Sequence, residues 1–297
     1  MDASMSWSDW PAPAKLNLFL HITGQRADGY HSLETVFRLL DWGDTVRLRL
    51  RDDADIRRVN DVPGVPPDDD LTVRAARLLR RQSTQTLPGV DIAVDKRIPM
   101  GGGLGGGSSD AATVLVALNC LWRLGLDEDA LAALGLQLGA DVPLFVRGRS
   151  AWAEGVGEQL TTLDLPACGY VILDPRASVS TAELFRAPEL TRHAAPATIR
   201  AFLRGEVTDN AFAPVVRKRC PPVVAAMDWL DRFGSARLSG SGGCVFLETA
   251  TRAEAERVAA QCPPAFSAFV ANGVNVSALS VAVEKFGASR DNAPAGA

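Results

Sequence analysis

The chain has 297 residues, of which 47% are hydrophobic and 22% charged, and a formal net charge of −4. That length exceeds what a single core usually fills, so two domains are expected. An acidic balance with no long basic run excludes an electrostatic footprint for nucleic acid or an anionic membrane. No apolar run is long enough to span a bilayer, and the N-terminal "MDASMSWSDWPAPAK" has no signal-type apolar segment. Five cysteines, odd in number and without CxxC spacing, fit reduced thiols rather than a disulfide framework or zinc site. A cytoplasmic protein with a small-molecule partner is the expectation.

In chain order, "PAKLNLFL" alternates Leu16, Leu18 and Leu20 with Asn17 and Phe19, which predicts a strand with Lys15 at its start. "TVRLRLR" predicts a second strand, with Val46, Leu48 and Leu50 opposite Arg47, Arg49 and Arg51. A polar turn, "NDVPGVPPDDD", leads to a helix in "DDLTVRAARLLRRQ" whose start is rich in carboxylates. "VDIAVDKRI" predicts another strand, and "SDAATVLVALNCLWRLG" a helix buried nearly all round and ending at Gly125. The pattern changes after about Leu163. "GYVILDP" predicts a buried strand, "TIRAFLRG" and "PPVVAAMDWLDRFG" helices, "ARLSGSGGCVFLE" a glycine-turned hairpin, "RAEAERVAAQC" a helix and "GVNVSAL" a last strand. The whole predicts an α+β protein, divided into residues 1–163 and 164–284, with residues 285–297 as a disordered tail.

One stretch stands apart. "PMGGGLGGGSSDAA", Pro99 to Ala112, sets six glycines in the seven positions 101–107 between a strand and a buried helix. Without Cβ atoms the backbone can curl and turn successive N–H groups toward one point, and the helix start adds unpaired donors and a positive dipole end. Such a loop cradles phosphate. Ser108 and Ser109 supply hydroxyls for the same oxygens or for a bridging metal, and Asp110 places a carboxylate nearby, as cap or metal assistant. The Walker pattern needs a lysine where Gly107 stands, and a dinucleotide fingerprint lacks its βαβ lead-in here.

The glycine stretch resembles the phosphate-binding loop of the GHMP kinase superfamily. "PAKLNLFLHITGQRADGYHSLETVF" (13–37) is similar to that superfamily's first motif, and "RLSGSGGCVFLE" (237–248) to its C-terminal glycine motif. With "LGADVPLFVRG" and "AEGVGE", the chain most resembles the branch whose acceptor is a cytidine diphosphate-linked methylerythritol phosphorylated on its 2-hydroxyl. The resemblance implies a two-domain GHMP kinase fold, with an N-terminal ribosomal protein S5-like domain and a C-terminal ferredoxin-like domain. It also implies ATP as donor, Mg²⁺ with ligands undetermined, and no membrane or nucleic-acid partner.

Residue roles follow in part from chemistry and in part from that resemblance. Asp141, two residues before Pro143, is placed by the proline outside helical geometry, and a stiffly held carboxylate suits a catalytic base; the alternative is a cap or solvated helix end. A lysine in an apolar strand needs a partner. By resemblance Lys15 pairs with Asp141 beside the acceptor hydroxyl, and Pro99, Met100, Gly101, Gly102, Gly103, Leu104, Gly105, Gly106, Gly107, Ser108 and Ser109 bind the nucleotide, with Lys96 bordering adenine and ribose. Tyr30 and Phe185 are implied to flank the cytosine while His31 reads its edge; Asn17 helps place the methylerythritol and Thr181 lies nearby. Ser239, Gly240 and Gly242 either turn a hairpin or close over the phosphates or the acceptor's diphosphate. Three alternatives remain open: a kinase for another small alcohol, mevalonate- or homoserine-like; a nucleotide sensor without turnover on the same fold; and a ribosome- or RNA-binding protein with a related N-terminal topology, which the acidic charge disfavours.

Overall fold

Two long strands, β1 (Ser8–Gln25) and β2 (His31–Arg51), pair antiparallel and form the spine of the N-terminal half. The computed structural model describes residues 6–27, 29–177 and 179–291. β3 (Ile56–Arg58), helix α1 (Leu71–Arg80) and β4 (Gly89–Asp95) follow; β4 adds antiparallel to β2, and β3 adds parallel to β4. The alternation in "TVRLRLR" has its expected result. Val46 and Leu48 are fully buried, while Arg47, Arg49 and Arg51 pair with Asp9, Asp91 and Asp53. Asp70 caps α1, accepting from the Thr72 N–H at 2.8 Å.

After the glycine loop come α2 (Gly106–Leu121), α3 (Glu128–Leu136) and α4 (Val142–Arg147), then a hairpin of β5 (Ala151–Glu154) and β6 (Gln159–Thr162) that docks on β2. Helix α2 is buried continuously from Ser109 to Leu118. Its end differs from the expected stop at Gly125. The left-handed residue that closes it is Arg123, φ 56°, with the Leu124 N–H on the Asn119 carbonyl at 3.1 Å and the Arg123 N–H on that of Cys120 at 3.3 Å. This 6→1 and 5→2 pair satisfies the last carbonyls two residues before the glycine.

The C-terminal half contains β7 (Gly169–Asp174), α5 (Thr181–Arg186), α6 (Ile199–Leu203), α7 (Ala213–Arg219), α8 (Pro221–Leu230), β8 (Arg237–Leu238), β9 (Val245–Thr249), α9 (Arg252–Ala259), β10 (Ser267–Val274) and α10 (Ala278–Asp291). The sheet order β3-β4-β2-β10-β7-β9-β8 runs through both halves. β10 is the joint: Ser267 to Asn272 pair with β7, while Gly273 and Val274 pair with Leu40 and Leu39 of β2. The last strand therefore lies mostly ahead of the expected "GVNVSAL", because β10 is only half-buried and shows no clean alternation.

Helix α10 also departs from the expected division. It covers residues 285–291 of the expected tail, and Phe286 packs on Trp10 with ring centroids 5.2 Å apart, so the chain ends its described course on the N-terminal half. Residues 292–297 lie outside the described residues. Both crossings between the halves are tied by one side chain. The buried Arg38 guanidinium donates to the carbonyls of Pro166 at 2.8 Å and Gly273 at 2.9 Å and to the Asn275 amide oxygen, and Asn275 bonds the Leu165 backbone in turn.

Candidate active site

The glycine loop is held by its own carbonyls, which leaves it rigid at the N-terminus of α2. The Lys15 N–H donates to the Leu104 carbonyl at 3.0 Å, the Cys244 and Gly243 N–H groups to those of Gly102 and Gly101, and the Ser239 hydroxyl to that of Gly103 at 2.9 Å. The two glycine runs thus interlock. A Cβ on Gly103, whose φ is +77°, would stand 2.0 Å from the Ser239 carbonyl oxygen, and one on Gly242 would stand 2.0 Å from the Gly103 nitrogen. Backbone-to-backbone approach of this kind admits only glycine. "SGSGGC" turns the β8–β9 hairpin, as the simpler of the two expectations had it, and the same turn braces the glycine loop from behind.

Lys15 and Asp141 meet across a cavity of about 590 Å³ beside that loop. Lys15 sits mid-way along β1 rather than at a strand start, between register shifts at Pro13/Lys15 and Asn17/Leu20. Bulges of this kind re-aim side chains. Its ammonium, 3% exposed as a residue, lies 3.4 Å from the Asp141 carboxylate, donates to the Asn17 side-chain oxygen at 2.5 Å and stands 5.2 Å from the centre of the Phe37 ring. Asn17 is oriented in turn by donating to the Thr35 hydroxyl at 2.9 Å.

Asp141 precedes α4 with helical backbone angles, φ −82° and ψ −12°, contrary to the expectation drawn from Pro143. The proline occupies the first turn of α4, where a missing N–H leaves no helical bond unmade. The Asp141 side chain makes no capping bond, so its carboxylate, 31% exposed, is spent on Lys15 and the cavity rather than on the helix.

The same cavity is lined by Tyr30, His31, Thr181, Phe185, Ser108 and Gly240. Tyr30 is the most exposed large aromatic, 67%. The His31 ring stacks on Phe185 with centroids 4.7 Å apart and 20° between planes, and Phe185 meets Phe212 edge-on at 5.0 Å. One face of Phe185 is therefore covered by His31 instead of standing open opposite Tyr30. Burial, together with the Arg192 charge, holds His31 below its ordinary range, and its buried Nε2 has no hydrogen-bond partner. The Thr181 and Ser241 hydroxyls bond at 2.7 Å and join α5 to the second glycine turn. Ser239 and Gly242 do not line this cavity; both lie behind the loop they support.

A second cavity, about 350 Å³, lies on the other side of the loop, lined by Val62, Val65, Leu71, Val94, Lys96, Met100, Gly101, Gly107 and Asp110 among others. Lys96 is not free there. Its ammonium donates to Asp44 at 2.5 Å and to Asp110 at 2.8 Å, and the Asp44 carboxylate also accepts the Arg97 and Ile98 N–H groups. Burial works against the Lys96 charge, but the two carboxylates outweigh it and raise its pKa. Burial, with the Asp44 charge, pushes Asp110 up to about 7 against the opposing pull of Lys96. The Asp110 Oδ1 and the Ser109 hydroxyl are buried without partners at the loop.

Known proteins resemble this arrangement closely. Residues 70–149 match the model for the GHMP kinases N-terminal domain and residues 184–268 the model for the GHMP kinases C-terminal domain. The chain is 63% identical over 281 residues to the 4-diphosphocytidyl-2-C-methyl-D-erythritol kinase of Xanthomonas axonopodis pv. citri, an alignment covering 94% of this chain and 95% of the relative. It belongs to that family of GHMP kinases. The family's Halorhodospira halophila member is 58% identical over 276 residues, covering 92% and 95% of the two chains. A crystal structure of a 4-(cytidine 5'-diphospho)-2C-methyl-D-erythritol kinase matches with a TM-score of 0.78 at 33% identity, over 90% of this chain and 100% of that one. A homoserine kinase of Cytophaga hutchinsonii, at 17% identity and TM-score 0.69 over 94% and 98% of the two chains, shares the fold. The expected two-domain α+β GHMP fold holds, and the chain is an ATP-dependent phosphotransferase with an alcohol acceptor.

Several groups at these cavities left no local trace in the sequence of this family member. Asp44, 52 positions from Lys96, has no motif around it. Val62 and Val65 sit in a segment that reads as a polar turn. Phe37, under the Lys15 ammonium, reads as an ordinary strand hydrophobe. Arg186 was equally silent, although Ala182, Phe185 and Arg186 are spaced i, i+3, i+4 and line one wall of the larger cavity.

Proposed function

We propose that this chain transfers the γ-phosphoryl group of ATP to the 2-hydroxyl of 4-diphosphocytidyl-2-C-methyl-D-erythritol, with Lys15 and Asp141 at the reacting oxygen. One observation carries the reading. A lysine and a carboxylate 3.4 Å apart open onto the same cavity as the aromatic and polar residues suited to a nucleoside, immediately beside a rigid glycine loop.

Phosphoryl transfer asks a protein to position two substrates and to offset charge, with little covalent work of its own. In this reading adenine occupies the 350 Å³ cavity against Val62, Val65, Leu71 and Val94, and the phosphates cross residues 101–107 toward the larger one. The α2 N-terminus and loop amides face the phosphate oxygens. The Asp141 carboxylate accepts the proton of the acceptor hydroxyl, and Lys15, held by Asn17, orients that carboxylate and offsets charge on the transferring oxygens. His31 brings an unpartnered Nε2 to a cytosine edge after its ring leaves the face of Phe185, and Tyr30 covers the base from the solvent side.

Magnesium fits the donor set at the loop. Among the described residues no group of three His, Cys, Asp or Glu forms a metal cage, whereas the Ser109 hydroxyl is buried without a partner and Ser108 lines the larger cavity. One or both serines would touch an ion that arrives on the triphosphate and keeps most of its waters. When bound, that ion supplies charge neutralisation on the β- and γ-phosphate oxygens. The reading also puts the enzyme in the cytoplasm, in keeping with five free cysteines. Among the described residues no helix is long and apolar enough to cross a membrane.

The test is a coupled ADP-release assay with MgATP and a panel of acceptors: the cytidine diphosphate-linked methylerythritol, mevalonate, homoserine and methylerythritol 4-phosphate. Turnover confined to the first is expected. Faster turnover of mevalonate or homoserine, or none with any acceptor, overturns the reading.

A further inference from the structure

The acceptor proposed above carries a diphosphate between its nucleoside and its alcohol, and the cavity must meet that charge. Three side chains able to carry positive charge line it: Lys15, His31 and Arg186. Lys15 is engaged by Asp141 and Asn17. His31 is half-buried and stacked on Phe185, and its pKa is lowered by partial burial and the Arg192 charge, which favours the uncharged ring. Arg192, close enough to His31 to bias it, donates to the backbone carbonyls of Phe185, Ala187 and Leu190 and serves as a brace for the end of α5.

Arg186 differs from all of these. It is the exposed last residue of α5, shares a helix face with Phe185, and has no hydrogen bond or ion pair among the described residues. A guanidinium is also the group whose fork of donors matches phosphate oxygens. The carboxylate of Asp141, at the Lys15 end of the cavity, repels a diphosphate from the reacting position. An anion-binding group at the α5 wall and an anion-repelling group at the other fix which end of the acceptor points at the donor.

We propose that Arg186 grips the diphosphate of the acceptor and sets the preference for a nucleoside diphosphate-linked alcohol over an uncharged one. This rests on the reading of the cavity as the acceptor site. Phe185 holds the base and Arg186, one residue on, holds the phosphates, so one short helix reads both parts of the nucleotide.

The experiment compares the full-length protein with Arg186→Gln and Arg186→Lys. With MgATP saturating, Arg186→Gln is expected to raise the acceptor KM by about tenfold or more, the scale of a lost hydrogen bond to a charged group, while the KM for ATP stays within about twofold and kcat falls by less than the acceptor KM rises. Arg186→Lys recovers part of the loss, since it keeps the charge and loses the fork. As competing probes, CDP inhibits the wild type far better than cytidine, and Arg186→Gln narrows that ratio by the same factor. An unchanged acceptor KM together with an unchanged CDP-to-cytidine ratio overturns the proposal, as does a loss expressed in the KM for ATP. The failure of the underlying reading looks different: the wild type itself then shows no turnover of the acceptor, and the proposal falls with it.

Discussion

Lys15 and Lys96 approach the glycine loop from opposite sides, and each is paired with acid. Lys15 has one carboxylate, Asp141, at 3.4 Å, and that carboxylate is about one-third exposed to the larger cavity. Lys96 has two, Asp44 at 2.5 Å and Asp110 at 2.8 Å, both buried, with Asp44 further anchored by two backbone N–H groups. The first pair is under-satisfied and faces a space that fits a substrate. The second has both its acids buried and fastens β2, the end of β4 and α2 together, although Lys96 and Asp110 also border the smaller cavity. A lysine beside a phosphate loop is therefore no guide to its role; the exposure of its acidic partner is.

The comparison can be broken at either lysine. The largest effect is expected from Asp141→Asn, which removes proton acceptance together with the one carboxylate beside Lys15: turnover falls by about 10²–10⁴-fold with nucleotide binding nearly intact, measured by ADP release and by titration of a fluorescent ATP analogue. Undiminished turnover would refute the base. Lys96→Met strips the counter-charge from two buried carboxylates and is expected to lower stability by about 3–5 kcal/mol in urea; Lys15→Met, whose partner keeps contact with water, lowers turnover strongly and stability much less. If the two variants show the same ratio of activity loss to stability loss, the two lysines do not differ in role.

Smaller effects sharpen the picture. Tyr30→Ala should raise the acceptor KM severalfold, on the scale of one lost stacking surface of about 1 kcal/mol, with the KM for ATP unmoved; a change in the ATP constant alone would place the cytosine elsewhere. The smallest effect concerns pH. Asp110 is raised from 3.8 to about 7 by folding, so across that window the folded protein binds more protons than the unfolded chain and this group's contribution to stability falls as pH rises. Asp110→Asn should flatten that part of the slope, seen in urea midpoints taken below and above the window. An identical slope in the variant would mean that Asp110 titrates as an ordinary carboxylate.

Much of this was legible in the chain. The glycine run, its strand and its buried helix could be read from φ freedom and periodicity, and Lys15, Asp141 and Tyr30 stood inside motifs dense enough to reveal the family. Less legible were ends and partners. Helix α2 closes on Arg123 because two capping bonds can be made there, whereas Gly125 only permits a left-handed turn. Asp141 keeps helical angles despite Pro143 because a first helical turn needs no N–H. Ser239 and Gly242 face the loop instead of the cavity, a distinction that depends on which side of a turn meets which backbone.

The sequence by itself determined the local physics: where backbone could curl, which strands had a wet face, which helix had none. Only the tertiary structure decided which charges meet, since Asp44 and Lys96, or Arg38 and the two crossings between the halves, lie far apart in the chain and close in space. Backbone preference acts between neighbours and leaves a periodic trace. Electrostatic pairing acts through space, so the difference between a lysine whose acid faces a cavity and one whose acids are buried appears only once the chain has closed around it.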